Sequence, residues 1–173
     1  LSKVWMVKLF EQDSSLKKYL PRSFIVAPDE NNIVSSIAQS IIEHFSVGDE
    51  IILKHPFIDW NGNWVCKISF VSITNLKADI ERGLTKFIQY LSNRKQLNAL
   101  YLLQECVQDS IGEWSITFSI QNKRIENWWL VSNVLKNAEY FGSTNYFSYL
   151  SVEEKSEIEK NIYTDFENLL WRL

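Results

Sequence analysis

EIILKHPFIDWNGNWVCKISF, residues 50–70, is the stretch that decides the architecture. Apolar runs at 50–53 and 65–70 flank Asn61-Gly62, a dipeptide that readily supplies the two positive-φ positions of a type I′ turn. After the turn Cys66, Ile68 and Phe70 alternate with Lys67 and Ser69, the period of a strand with one wet face. A hairpin around 50–72 is therefore expected, and a hairpin requires antiparallel pairing. With the turn at 61–62, Asp59 would face Trp64 and Phe57 would face Cys66. That register brings His55, Asp59 and Cys66 to one face.

Working outward toward the amino end, Ile33, Ile37, Ile41 and Phe45 recur every four residues beside Val34, Ala38 and Ile42, which predicts a core helix over 30–45. Asp29 and Glu30 suit its positive end, and Gly48 suits its stop. Residues 23–27, between Pro21 and Pro28, read as a strand, as do residues 4–10. A short helical turn over 14–20 separates them.

Toward the carboxyl end, Asn75 is the expected cap of a helix over 76–91 with Leu76, Ile80, Leu84, Phe87, Ile88 and Leu91 as its stripe. Residues 100–107 and 113–121 read as a second hairpin, around 100–121. A helix is expected over 125–140, and another over 152–170 that opens with the capping box Ser151 and Glu154. Regular β-α alternation is missing from this order, so the fold class is α+β. The expectation is a single globular domain over 1–173, with an antiparallel or mixed sheet containing the two hairpins and packed by about four helices.

Composition narrows the function classes. The chain has seven Trp, two His and two Cys in 173 residues, with five Gly and three Pro. Neither a linker nor a repeat stands out. No apolar run is long enough to span a bilayer, so a soluble, cytoplasmic protein without a membrane partner is expected from the chain as read from Leu1. Cys66 and Cys106 lie in strand-like apolar patterns and read as buried free thiols in a reducing compartment.

Catalytic signatures are missing: GxxxxGK[ST], GxGxxG, HExxH and GxSxG do not occur. His44, His55, Cys66 and Cys106 lack metal-ligand spacing, so no metal, no cofactor and no catalytic residue is assigned. His55, Asp59 and Cys66 form the one nucleophile–base–acid cluster, and a core thiol beside a surface carboxylate explains it more simply. The pairs Asp29/Glu30, Asp49/Glu50 and Glu153/Glu154 sit where capping and solvation account for them.

Charge points the other way, toward binding. Acidic residues outnumber basic ones by 21 to 18, for a net charge of −3. Residues 29–50 hold five carboxylates and no Lys or Arg, and the segment after Ser151 is acidic again. A negative face repels nucleic acid and attracts a basic protein, so the small basic group of Arg82, Lys86, Arg94 and Lys95 does not make nucleic acid the expected partner. Trp5 and Trp114 read as core and Trp171 as packing, whereas at least two of Trp60, Trp64, Trp128 and Trp129 are expected to be partly exposed, the alternative being a second core layer covered by the aromatic segment 140–149.

In type, though not in sequence, such a small, acidic, aromatic-rich and motif-poor chain resembles the bacterial immunity proteins, which occlude the active site of a toxin. That resemblance implies an antitoxin-like, non-enzymatic protein that binds a basic partner, such as a nuclease toxin. Its expected contact residues are Asp49, Glu50, Asp59, Trp60, Glu153, Glu154 and Glu157, the carboxylates for steering and the aromatic side chain as an anchor. Two alternatives remain open: a small-molecule-binding or hydrolytic enzyme with an aromatic pocket, and a structural subunit of a larger assembly, including a homo-oligomer.

Overall fold

Isoleucine and leucine in unbroken runs, bounded by proline and glycine, build the centre of the protein. The computed structural model describes residues 3–56, 65–91, 94–107, 113–122, 124–135 and 144–149, together with Glu153, Ser156, Lys160, Asp165 and Asn168. Helices α1 (Lys3–Gln12) and α2 (Ser14–Lys17) lead into strand β1 (Ser23–Val26), helix α3 (Ile33–His44), and strands β2 (Glu50–Lys54) and β3 (Val65–Ser69). Helix α4 (Ile73–Ile88), a 3-10 turn (Arg94–Leu97) and strand β4 (Tyr101–Glu105) follow. Strands β5 (Glu113–Gln121), β6 (Arg124–Leu135) and β7 (Thr144–Tyr149) come last.

The fold is α+β. One antiparallel sheet has the order β1-β4-β2-β3, and a second has the order β5-β6-β7. In the first sheet Ile51, Leu53, Ile68, Tyr101 and Leu103 share a buried core with Ile37, Ala38 and Ile41 of α3 and Leu76, Ile80, Leu84 and Phe87 of α4. The alternate residues Ile52 and Leu102 are buried too, so both sides of the central strands are covered. On that second side Lys54 donates to Gln104 Oε1, and Gln104 Nε2 donates to Ser23 Oγ, which satisfies the buried amide across three strands.

The first expected hairpin appears as β2 and β3, but in a different register. Cys66 lies opposite Leu53, not Phe57, and Val65 lies opposite Lys54. The turn at Asn61-Gly62, with Asp59 and Trp60, lies outside the described residues. The second expected hairpin does not form: β4 inserts between β1 and β2, and β5 pairs with β6. Strand β4 is a run of four buried residues, which suits a central position better than an edge.

Two further expectations are overturned. Residues 4–10 are helical: Val4 and Val7 are buried one helical turn apart, while Trp5, expected in the core, and Met6 are each 43% exposed. Residues 125–135 form β6 rather than a helix. Tryptophan, isoleucine and valine there favour extended backbone, and Gln121 pairs with Arg124 across a tight turn in which Asn122 has φ 50°. Smaller shifts concern helix starts. Asp29 and Glu30 lie in a turn ahead of α3, and α4 starts at Ile73 with Ser72, not Asn75, as its cap. Ser72 Oγ accepts from the Asn75 N–H at 3.1 Å.

Candidate functional site

Four chain segments meet at one end of the first sheet: the start of β1, the start of β2, the end of β3 and the end of β4. Gly48, at φ 102°, turns the chain from α3 into β2, a conformation that favours glycine. Its N–H donates to the Phe70 carbonyl, and the Phe70 N–H donates to the Asp49 carbonyl. On the other side the Cys106 N–H donates to the Glu50 carbonyl and the Glu105 N–H to the Arg22 carbonyl. The result is a groove of about 370 Å³ lined by Pro21, Gly48, Asp49, Glu50, Glu105, Cys106 and Val107.

Its three carboxylates differ in what they are free to do. Asp49 accepts from the Ser46 N–H at 2.9 Å and from Arg22 Nη2 at 2.7 Å. These contacts, the Ser46 N–H first, hold its pKa below the usual carboxylate range, so it stays ionised. Glu50 accepts from Ser69 Oγ at 2.7 Å and pairs with Lys67 on the neighbouring strand. Glu105 is nearly half exposed and has a looser ion pair, at 3.7 Å to Arg22 Nε. Arg22 itself stacks over the Phe45 ring, 4.7 Å from its centroid, and lies between Asp49 and Glu105.

Of the residues expected to bind a partner, Asp49 and Glu50 reach this groove together. Both are tied to cations that the local sequence does not contain. Glu153 is an exposed helical position in the last segment. Asp59, Trp60, Glu154 and Glu157 lie outside the described residues. Glu105 was not among the expected residues, because only the insertion of β4 beside β2 carries it to Asp49. Val107 enters the same way, and Val47 and Val71 flank the Gly48–Phe70 contact. These three valines are 57%, 69% and 65% exposed respectively.

The cluster of His55, Asp59 and Cys66 has two described members. His55 is fully buried, its Nε2 3.0 Å from the Gln96 carbonyl and its ring edge-on to Phe87 and Tyr101. A carbonyl only accepts, so Nε2 carries the proton and donates. Burial, opposed by that hydrogen bond, lowers the imidazole pKa and keeps it neutral. Cys66 packs against Gly83 of α4, and burial pushes its thiol up, away from the thiolate a nucleophile needs. Both cysteines are free.

In the expected basic group, Arg82 pairs with Asp79 and Lys86 Nζ donates to the Val65 carbonyl at 3.0 Å. Among the described residues no cluster of three His, Cys, Asp or Glu could hold a metal ion, and no helix is long and apolar enough to cross a membrane. No protein-family model matches the chain, and no curated protein matches it.

Proposed function

We propose that the chain is a non-enzymatic protein-binding module of the immunity type, which occludes the active site of a basic partner such as a nuclease toxin. One observation carries the reading: Asp49 and Glu50 at the start of β2 and Glu105 at the end of β4 line a single groove whose local cations, among the described residues, are Arg22 and Lys67. Carboxylates outnumber cations there, and a negative surface of this kind speeds the approach of a basic protein. The neutral thiol of Cys66 and the hydrogen-bonded imidazole of His55 favour binding over nucleophilic catalysis. The two free thiols suit a reducing, cytoplasmic setting.

The test is a pull-down from the native host with the purified chain as bait, at low and at moderate salt, with recovered proteins identified by mass. One stoichiometric basic protein, lost as salt rises and lost with Glu105→Lys at low salt, is the expected result. Recovery of the chain alone, or of a partner indifferent to both salt and Glu105→Lys, refutes the proposal.

A further inference from the structure

We infer that two copies of this chain join along β5, edge to edge and antiparallel, so that the three-stranded sheets of both become one continuous sheet. A sheet edge leaves a row of backbone N–H and C=O groups unpaired, and folded proteins blunt such edges with proline, bulges, charge or a covering element. Among the described residues, the edges at β1, β3 and β7 are blunted and that at β5 is not. On β3 the Phe70 N–H donates to the Asp49 carbonyl on β2, so by alternation Ser69 and Val65 present their backbone groups outward. Helix α4 meets them there: Asp79 Oδ2 accepts from the Ser69 N–H at 3.3 Å, and Lys86 Nζ donates to the Val65 carbonyl at 3.0 Å. The Val71 N–H donates to the Ser69 carbonyl. Strand β1 has four residues and lies between Pro21 and Pro28, which lack an N–H and limit its ladder at both ends. Strand β7 is bulged: Leu135 pairs with Thr144 and Val134 with Tyr146, which leaves Asn145 as an extra residue.

Strand β5 has none of these devices. It is nine residues long and borders β6 alone, and the extra residue at its register shift, Glu126, belongs to β6. From Trp114 to Ile120 it contains no charge, proline or glycine. The same strand of a second copy fits it along its whole length. A two-fold axis at Thr117 sets Trp114 opposite Ile120, Ile116 opposite Phe118, Ser115 opposite Ser119 and Thr117 opposite itself. Aromatic with β-branched and hydroxyl with hydroxyl are favourable cross-strand pairs. Glu113, the one charged residue of the strand, falls opposite Gln121 rather than its own copy, and any other axis leaves part of the strand unpaired. Opposed residues lie on the same side of a sheet, so the alternation of apolar and hydroxyl residues continues across the join. Pairing consumes the β5 edge of both copies and leaves the bulged β7 edges outermost, which closes the assembly at a dimer. No residue lining the acidic groove belongs to β5, so this pairing stands apart from the proposed function.

The test is sedimentation equilibrium of the full chain, wild type and two variants, Thr117→Lys and Thr117→Glu. The wild type is expected to pass from monomer to dimer between about 1 and 100 µM, the range of a small interface. Each variant sets like charges opposite each other at the axis and should raise the dissociation constant about tenfold or more. An equimolar mixture of the two variants should dimerise again, because Lys then meets Glu, an outcome that only a residue opposed to itself produces. A wild type that stays monomeric, variants that dimerise as well as it does, or a mixture no more dimeric than its components overturns the inference. Hydrogen exchange of the wild type, which needs no variant, supplies the second measurement. Amides of residues 113–121 should exchange more slowly in the dimer than in the monomer, and slowing confined to other strands overturns the inference as well.

Discussion

Glu105 and Asp49 share a groove and a counter-ion, yet they should behave as opposites when replaced. Asp49 accepts the Ser46 N–H and so holds the turn from α3 into β2, whereas Glu105 projects with a loose contact to Arg22. Asp49→Ala is expected to cost about 1 kcal/mol or somewhat more, and Glu105→Ala less than about 0.5 kcal/mol, by urea denaturation. Equal costs would show that Glu105 is as structural as Asp49. His55 gives the residue-scale pH dependence. Burial lowers its folded pKa, so between the folded and unfolded values the unfolded chain binds more protons. The stability of the neutral ring is present above about pH 6.5 and is lost as pH falls through the folded pKa, with a slope of at most about 1.4 kcal/mol per pH unit. Urea midpoints between pH 7.5 and 5.5 should fall for the wild type and flatten in His55→Gln; parallel curves would show that His55 contributes no linkage.

At the scale of elements, the close approach of α4 to β3 is the sharpest constraint. A Cβ on Gly83 would stand 2.9 Å from both Cβ and Sγ of Cys66. Gly83→Ala should destabilise by about 1–3 kcal/mol despite its gain in helix propensity, and Gly83→Ala with Cys66→Ala should recover part of the loss. A stabilised single variant would mean that helix and strand can separate without cost. Ser72→Ala, which removes the cap of α4, should cost about 1 kcal/mol in the same assay. The helical stripes of α3 and α4 were legible in the sequence because each is long enough to repeat its period. The start of the chain was not: Val4-Trp5-Met6-Val7 offers apolar residues to either period, and only burial of Val4 and Val7 together selects the helix. Residues 125–135 failed differently. Their adjacent tryptophans fit no single helical face, a sign that extended backbone was the better reading.

For the whole molecule, the α+β class followed from local patterns, but the site did not. Glu105 reaches Asp49 because β4 lies between β1 and β2, and Arg22 and Lys67 reach the acidic run of residues 29–50 from other strands. Those are long-range pairings, and no local period encodes them. The sequence therefore located Asp49 and Glu50 as charge and missed that both are already paired, leaving Glu105 as the most available carboxylate. The same topology sets the central test. The association rate of the chain with its recovered partner should be measured by stopped flow across a range of salt, for the wild type and for Glu105→Lys. A wild-type rate that falls steeply with salt, and a Glu105→Lys rate several-fold slower at low salt with a shallower slope, is the expected result. Rates and slopes that coincide for the two proteins would contradict an acidic groove that captures a basic partner.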